Sequence, residues 1–136
     1  GCTCLRIRKV ARRVTQIYDR HLEPSGLTVA QFSLLSYVRS FDGIGIGALA
    51  DKMATDPTTV TRNLRPLVHR ELLVLAQDPQ DRRSRRLHLT DGGREAYAAA
   101  RPAWARAQRS IEQTLGSAGA SALNASLEHV LEHLAG

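Results

Sequence analysis

The chain has only two cysteines, and both lie at its start. Cys2 and Cys4 are separated by one residue, and no cysteine follows them in the 136-residue sequence. Such close neighbours cannot close a long loop and supply too few sulfur ligands for zinc, which excludes a disulfide scaffold and a cysteine zinc site. The sequence also lacks a Gly-rich phosphate loop, a nucleophile elbow and a His-Glu-x-x-His pattern. We therefore expect neither an enzyme nor a bound cofactor.

Long apolar runs are also missing. No apolar segment approaches the roughly 20 residues that a membrane-spanning helix needs, so we expect no membrane partner. The hydrophobic fraction of 43% is too high for a disordered chain, and the length suits one domain, residues 1–136. Because no apolar leader begins at Gly1, we expect a cytoplasmic, nucleoid-associated protein with further residues ahead of Gly1.

Basic residues exceed acidic ones, and their distribution is uneven. The sequence has 19 Lys and Arg against 13 Asp and Glu, a net charge of +6, and 17 of the cations are Arg. Residues 5–23 carry +4, residues 24–55 are neutral, residues 56–90 carry +3, residues 91–109 carry +2 and residues 110–136 carry −3. Arginine suits phosphate and base-edge recognition better than lysine does, so the cluster at residues 82–86 indicates a nucleic-acid contact.

Helical patterns lie at both ends of the chain. Apolar residues recur at helical spacing over residues 5–21, and Pro24 to Gly26 end that helix. Thr28 with Gln31 predicts a capping box at the start of a second helix. Asp42 and the glycines after it predict a break with a short extended piece at residues 44–46. Towards the C-terminus, one long helix is predicted from Thr90 and a last helix after residues 116–119, with apolar positions Leu123, Leu127, Val130, Leu131 and Leu134.

The centre of the chain predicts a helix-turn-helix followed by a hairpin. Residues 48–53 form a short helix, and Asp56 with Pro57 is typical of the cap and first position of the next one. Residues 73–76 and 86–90 read as two strands, the second with Leu87 and Leu89 facing inward, joined by a polar turn at residues 77–85. A hairpin directly after the second helix of a helix-turn-helix is a wing.

Four segments together resemble the MarR family of bacterial transcriptional regulators. They are Ala-Asp-Lys-Met at 50–53, Thr-Val-Thr-Arg at 59–62, Asp-Pro-Gln-Asp-Arg-Arg at 78–83 and Leu-His-Leu-Thr-Asp-Gly-Gly at 87–93. The resemblance implies a mainly α fold with a small β-hairpin wing: a winged helix-turn-helix lobe at 28–90, flanked by dimerisation helices at 5–23 and 91–135. Two residues depart from the pattern. Glu71 stands where the family usually has Gly, just after the second helix of the helix-turn-helix, which is called the recognition helix. Pro66 lies within that helix, where it removes a hydrogen bond and is expected to kink the helix.

DNA-contacting residues are assigned by position. In the recognition helix the side chains that avoid the apolar face are Thr58, Thr59, Thr61, Arg62 and Arg65. For the wing, the resemblance implies that Arg83 enters a minor groove and that Asp81 orients a guanidinium. Arg82, Arg85 and Arg86 are either phosphate ligands or partners of salt bridges within the hairpin.

These residues predict a sequence-specific transcriptional regulator, a repressor that binds a pseudo-palindromic operator as a homodimer on double-stranded DNA. The resemblance implies release by an anionic aromatic effector in a cleft, for which the aromatic and cationic candidates are Arg12, Arg13, Tyr18, His21, Tyr37 and Trp104. An alternative is a thiol-based redox switch at Cys4, with Cys2 beside it. A less favoured alternative is an architectural protein without sequence preference. His129 and His133 lie four residues apart, but no third ligand is set by spacing, so we expect no metal site.

Overall fold

The structure, a computed structural model, describes residues 1–134. The helices are α1 (Thr3–Leu22), α2 (Val29–Ser40), α3 (Ile46–Lys52), α4 (Pro57–His69), α5 (Asp91–Leu115) and α6 (Ser117–His133), and the strands are β1 (Ile44–Gly45), β2 (Leu73–Asp78) and β3 (Asp81–Leu89). The predicted fold class, mainly α with a small wing, is confirmed. Residues 135 and 136, where the predicted last helix and the predicted domain end, lie outside the described residues.

The link between α1 and α2 follows the predicted signals closely. A short 3-10 helix, Glu23–Ser25, leads to Gly26, whose positive φ of 75° turns the chain. The predicted capping box is present: Thr28 Oγ1 accepts a hydrogen bond from the Gln31 amide at 3.2 Å, and Gln31 Oε1 accepts one from the Thr28 amide at 3.0 Å. Asp19 Oδ1 accepts from the Val29 amide at 2.8 Å. Because Asp19 lies on α1, this last bond fixes the start of α2 against α1.

The helix-turn-helix consists of α3 and α4. Helix α3 begins at Ile46, two residues earlier than predicted, and Ala54 in the turn has a φ of 52°. Asp56 caps α4 as predicted, with its Oδ1 accepting from the Thr59 amide at 2.9 Å. Pro66 does not end the helix, which continues to His69. The carbonyl that loses its hydrogen bond is that of Arg62, and both Pro66 and Arg62 are exposed residues, so the missing bond lies on the outer side of the helix.

The sheet is larger than the predicted hairpin. Its order is β1-β3-β2, and both pairs are antiparallel. Strands β2 and β3 extend through most of residues 77–85, for which the sequence predicts a turn, and residues 79–80 alone join the two strands. The extended piece predicted at 44–46 is a two-residue strand that pairs Ile44 with Leu87. Leu87 and Leu89 are buried, as the alternation predicted.

A single apolar cluster joins the winged helix-turn-helix lobe to the long helix α5. Phe32 on α2 stacks on two rings of α5, with centroid distances of 5.0 Å to Tyr97 and 5.9 Å to Trp104. Leu34, Leu35 and other buried side chains of α2 belong to the same cluster as the buried face of α4 and the inner face of β3. Because α2 contributes to both sides, the winged lobe and the long helices share one core.

The Thr-Asp-Gly-Gly segment at residues 90–93 caps α5 and lets it pass close to another part of the chain. Thr90 Oγ1 accepts from the Gly93 amide at 2.9 Å and donates to the carbonyl of Glu71 at 2.6 Å. A Cβ added at Gly93 would lie only 2.0 Å from the carbonyl oxygen of Leu72. The helix therefore crosses the chain that leaves α4 at a distance that only glycine permits.

Helix α6 begins earlier than the glycines suggested. It starts at Ser117, so Gly119 lies in its first turn and only Gly116, with a φ of 79°, separates it from α5. Leu134, predicted within the helix, is its C-cap residue. In residues 1–134 no helix has the length and apolar character needed to cross a membrane.

One buried acidic residue, at the end of β2, holds the turn of the wing and orients an arginine of β3. Asp78 is only 7% exposed; its Oδ1 accepts from the Gln80 amide at 2.9 Å and its Oδ2 pairs with Arg86 at 3.1 Å. The Gln80 hydrogen bond, and secondarily Arg86, lower the pKa of Asp78 below its ordinary value although burial opposes the shift. Arg86 also donates to the carbonyl of Gly43 at 2.9 Å, which ties β3 to the segment before β1.

We expect Glu71→Gly to stabilise the protein. Glu71 takes the left-handed conformation, with a φ of 58°, at the position where the family usually has Gly. A side chain there costs about 1 kcal/mol, which glycine removes while losing some backbone entropy, so the free energy of unfolding should rise by about 0.5–1 kcal/mol. Urea denaturation measures it. Glu71→Ala is the matched control: it also removes the carboxylate but keeps Cβ, and an equal gain from both variants would contradict a backbone origin.

We expect Asp78 to contribute to stability only above its titration range. Its folded pKa lies below the ordinary 3.8, so the contribution is fully present above the unfolded value and disappears as pH falls through the folded one. In Asp78→Asn the midpoint of urea unfolding should be lower at pH 7, and its decline between about pH 5 and pH 3 should be shallower than in the wild type. Parallel profiles for the two proteins would refute this assignment.

Candidate nucleic-acid interface

Helix α4 has one buried and one exposed face. Val60, Leu64 and Leu67 are at most 2% exposed, and they hold the helix against the core. Thr58, Arg62 and Arg65 lie on the outer side and are exposed, and Thr61 is half-buried beside them. The structure therefore places these four predicted residues together on one polar helix face.

Thr59 has a different environment from the other four. It is half-buried, and its Oγ1 donates to Asp56 Oδ2 at 2.9 Å. The backbone and side-chain hydrogen bonds from Thr59 lower the pKa of Asp56, so this cap carries its negative charge at neutral pH. The Thr59 hydroxyl proton is thus committed to the cap, and only its lone pairs and methyl group can face a ligand.

The four wing arginines differ in how far the chain holds them. Arg86 is bound to Asp78 and to Gly43, and Arg85 donates to the backbone carbonyls of Arg82 at 3.0 Å and Ser84 at 3.3 Å. Within residues 1–134 the guanidinium groups of Arg82 and Arg83 have neither a hydrogen bond nor an ion pair, and both residues are exposed. Sequence reasoning could not rank these residues, because the ranking depends on Asp78 and Gly43.

Asp81 does not orient a guanidinium. Its Oδ1 accepts from the Arg83 amide at 3.0 Å and its Oδ2 accepts from the Ser84 hydroxyl at 3.1 Å. These are local bonds that shape the backbone at the tip of the wing. The carboxylate that orients an arginine of the wing is Asp78, which pairs with Arg86 and which sequence reasoning missed. Its signal was the Asp-Pro pair itself, since an aspartate before a turn often accepts the amide two residues on.

The six predicted effector residues do not share one cavity. Arg12 and Arg13 lie on an open face of α1, whereas Tyr18 lines a groove on another face of that helix. Tyr37 and Trp104 pack against the apolar core, and His21 Nδ1 lies 2.9 Å from the carbonyl of Ile17. Within one chain these six residues therefore lie apart: Tyr37 and Trp104 pack with the core, and Arg12 and Arg13 lie on a different face of α1 from Tyr18. Their grouping in a common cleft stays a prediction.

The groove at Tyr18 lies between α1, α5 and α6. It has a volume of about 320 Å³ and mainly apolar walls that include Ile7, Val14, Leu123 and Leu127. The Tyr18 hydroxyl donates to Gln108 Oε1. Burial and the nearby charge of Glu112 raise the pKa of Tyr18, so the phenol is neutral at physiological pH.

The thiols and the histidine pair lie at the two ends of the described chain. Cys2 and Cys4 are both free and exposed, and Cys2, not Cys4, caps α1, with its Sγ accepting from the Leu5 amide at 3.5 Å. The ring centroids of His129 and His133 are 4.2 Å apart. In the part of the chain that is described, no three His, Cys, Asp or Glu side chains are grouped as metal ligands would be.

Comparisons with known proteins agree with this geometry. The MarR family profile matches residues 27–84. A transcriptional regulator of M. tuberculosis, MosR, solved in complex with DNA, is 35% identical; the match covers 85% of this chain and 84% of that one, with a TM-score of 0.79. The transcriptional repressor CouR, solved bound to a 23-mer DNA duplex, is 28% identical, with 95% and 92% covered and a TM-score of 0.86.

A curated relative gives the same indication. The HTH-type transcriptional regulator YhbI of Bacillus subtilis, itself uncharacterized, is 28% identical over 108 residues, which are 79% of this chain and 70% of that protein. The family resemblance inferred from the four sequence segments is thus confirmed by the profile, by the fold and by a relative above 30% identity. The chain belongs to the MarR family of DNA-binding transcriptional regulators and is a regulator, not an enzyme.

Proposed function

We propose that this regulator is a sequence-specific repressor that binds a pseudo-palindromic operator as a homodimer. The observation that carries the proposal is the combination of a capped helix α4 with an exposed polar face and a wing whose tip presents Arg82 and Arg83 without partners in residues 1–134. The likeness to CouR, described as a repressor bound to a DNA duplex, supports the direction of control.

In this proposal α4 enters the major groove. Arg62 and Arg65 each carry a fork of N–H donors that matches O6 and N7 of guanine, and Thr58 and Thr61 reach phosphates or thymine methyl groups. Thr59 acts mainly through the cap. Asp56 already accepts the Thr59 amide with its side chain and the Val60 amide with its carbonyl. Since Pro57 has no N–H, the Thr58 amide is the one left at the start of α4 for a phosphate.

The wing contributes a second contact. Arg83, with Arg82 beside it, is available for a minor groove, whose narrow A·T-rich form attracts guanidinium groups. Arg85 and Arg86 act mainly by holding the wing, because their guanidinium groups are engaged by Arg82, Ser84, Asp78 and Gly43. Asp81 keeps the tip in the conformation that presents Arg83.

We expect Arg83→Ala to weaken operator binding about 5- to 100-fold and to reduce the slope of log affinity against log salt by about 1, because one cationic contact is lost. A fluorescence-anisotropy titration at several salt concentrations measures both. Arg39→Ala, which removes an exposed arginine of α2 outside the proposed DNA contacts and dimer helices, is the matched control and should leave both values unchanged. Unaltered affinity and salt slope in Arg83→Ala would reject the role.

The same titration separates specific from architectural binding. An operator selected from a random DNA pool serves as the probe, and an unrelated duplex of equal length serves as the competitor. A specific regulator resists the unrelated competitor by a factor of at least about 10³, whereas equal displacement by any duplex would favour the architectural alternative.

The homodimer is supported by the apolar surface of the terminal helices. Leu5, Ile7 and Val10 on α1 are about half exposed, and Leu127 and Leu131 on α6 are 43% and 58% exposed. A monomeric protein rarely exposes so much apolar surface on neighbouring helices. We therefore assign α1, α5 and α6 to the dimer interface, as the division into a DNA-binding lobe and dimerisation helices predicts.

We expect Leu131→Asp to shift the protein from dimer to monomer at micromolar concentration, because a buried carboxylate without a partner opposes association. Analytical ultracentrifugation measures the mass. Leu131→Met keeps the apolar contact and should remain dimeric. A wild-type protein that is monomeric at these concentrations would refute the dimer itself.

We propose further that a small aromatic acid releases the repressor and binds in the groove at Tyr18. The walls of this groove include Ile7 and Leu127 of the proposed dimer interface, so the ligand would act by altering the contact between the two copies. The volume of the groove, about 320 Å³, suits a single-ring ligand. Arg6 is among its lining residues, which also include Tyr18 and Gln108, so a cation and two polar groups are available to a carboxylate and a phenol. Of the six predicted effector residues, Tyr18 alone remains in this narrower proposal.

The redox switch is a second candidate. The observation in its favour is that Cys2 and Cys4 are both exposed at the start of α1, and that the amide of Leu5 points at the sulfur of Cys2. Oxidation of either thiol would change the helix that we assign to the dimer interface.

One release assay distinguishes the two switches. We expect hydroxybenzoic acids to lower operator affinity in the wild type and equally in a Cys2→Ser/Cys4→Ser variant, with the effect weakened in Arg6→Gln, because the carboxylate loses its cation. Anisotropy of a labelled operator is the readout. Release by peroxide that disappears in the double-serine variant would instead establish the thiol switch, and no response to either reagent would reject both.

A further inference from the structure

One face of α1 carries a row of polar and basic side chains. All of them are exposed, and together with the half-buried Ile17 they line one open groove along the helix. We call this set the basic stripe of α1: Lys9, Arg12, Arg13, Gln16 and Arg20. It extends along the helix for about 16 Å, at about 1.5 Å per residue. The proposed operator contacts and the proposed effector groove use none of these residues.

The charge of the basic stripe is not compensated by the described chain. Within residues 1–134 none of its four cations takes part in an ion pair. Asp19 is the one acidic residue of α1, and it accepts a hydrogen bond from the Val29 amide. Lys9 and Arg13 lie four residues apart, so like charges adjoin, which is unfavourable in an isolated helix. An anion from outside the chain would remove that repulsion.

The basic stripe is separate from the apolar face of α1. Ile7, Val10 and Val14 line the groove at Tyr18, and none of the stripe residues borders that groove. At 3.6 residues per turn the centres of the two sets point in directions about 140° apart around the helix. A second copy that binds through the apolar face therefore does not need the stripe.

The composition of the stripe distinguishes among anionic partners. Three of its four cations are arginine, whose planar fork matches phosphate. The centre of a protein–protein interface is apolar and depleted in charge, and a helix that lies on a membrane needs bulky apolar side chains beside its cations. Among the described residues, Ile17 alone is an apolar member of this groove. A row of cations about 16 Å long instead fits a linear polyanion, and it spans about five base pairs of a duplex at about 3.4 Å each.

We propose that the basic stripe of α1 is a second DNA-contacting surface, which binds the phosphate backbone without reading its sequence. The phosphates belong either to the segments that flank the operator or to a separate duplex. In both cases the stripe adds affinity and salt dependence but no sequence preference. This surface goes beyond the operator contacts proposed for α4 and the wing, and it does not depend on them.

Two binding assays test the second surface. The test variant is Arg12→Gln/Arg13→Gln, which removes two of the four cations and keeps good helix formers. In the first assay, fluorescence anisotropy compares a duplex limited to the operator with the same operator extended by about 15 unrelated base pairs on each side, at about 50 and about 200 mM salt. In the second, operator duplex on beads is saturated with protein, and capture of a labelled unrelated duplex is measured. Arg39→Glu on α2, which changes the net charge equally, is the matched control.

The expected result depends on which duplex the stripe contacts. If it contacts the flanks, the wild type binds the extended duplex at least about tenfold more tightly than the short one at about 50 mM salt; if it contacts a second duplex, the beads capture the unrelated DNA. A contact through four cations loses about 100-fold in affinity between the two salt concentrations and one through two cations about 10-fold, so the test variant should show most of the gain or capture lost and a weaker salt dependence. The short operator should bind equally to all three proteins, which also shows that each variant is folded.

Three outcomes would overturn the second surface. The first is equal behaviour of the wild type and the test variant in both assays, which would leave the stripe to a small anion or another protein. The second is an equal loss in Arg39→Glu, because net charge alone would then explain the effect. The third is weaker binding of the short operator with the flank gain and the capture unchanged. A protein that prefers no sequence would refute the proposed function instead, and comparison of the wild type with the test variant on unrelated DNA would still test the stripe.

Discussion

The DNA-binding arrangement depends on the burial of one face of α4. Val60, Leu64 and Leu67 are almost completely inaccessible, and each contributes about 1.5–3 kcal/mol by leaving water. Their burial sets the rotation of the helix about its own axis, and the rotation decides which side chains face outward. Arg62 and Arg65 are exposed because these three side chains face inward. Asp56, Ala54 and the turn between α3 and α4 then set where the helix begins.

The features that could be predicted from sequence are those decided by neighbouring residues. The cap at Asp56, the capping box at Thr28 and Gln31, and the inward alternation of Leu87 and Leu89 all depend on contacts within a few residues, and all three are present. The exposed polar face of α4 followed from helical periodicity in the same way. Glu71 shows the limit of such rules, because it adopts the left-handed conformation despite its side chain.

The features that could not be predicted depend on residues distant in sequence. β1 exists because Ile44 meets Leu87, 43 positions away, and two residues alone carry no strand signal. The ranking of the wing arginines depends on Asp78 and Gly43, and the effector residues were grouped by side-chain type rather than by location. Aromatic residues on packed helices belong to the core more often than to a binding cleft, and Trp104 and Tyr37 follow that rule.

The short strand β1 connects the wing to the helix-turn-helix. Its pairing with β3, and the bond from Arg86 to Gly43, connect the wing directly to the residues that enter α3. The wing is therefore held to the helix-turn-helix at two places, by β1 and by the chain that leaves α4. In the proposed mode of binding this connection sets the spacing between the two DNA contacts, so a duplex that keeps both contacted segments but changes the number of base pairs between them would not fit both at once.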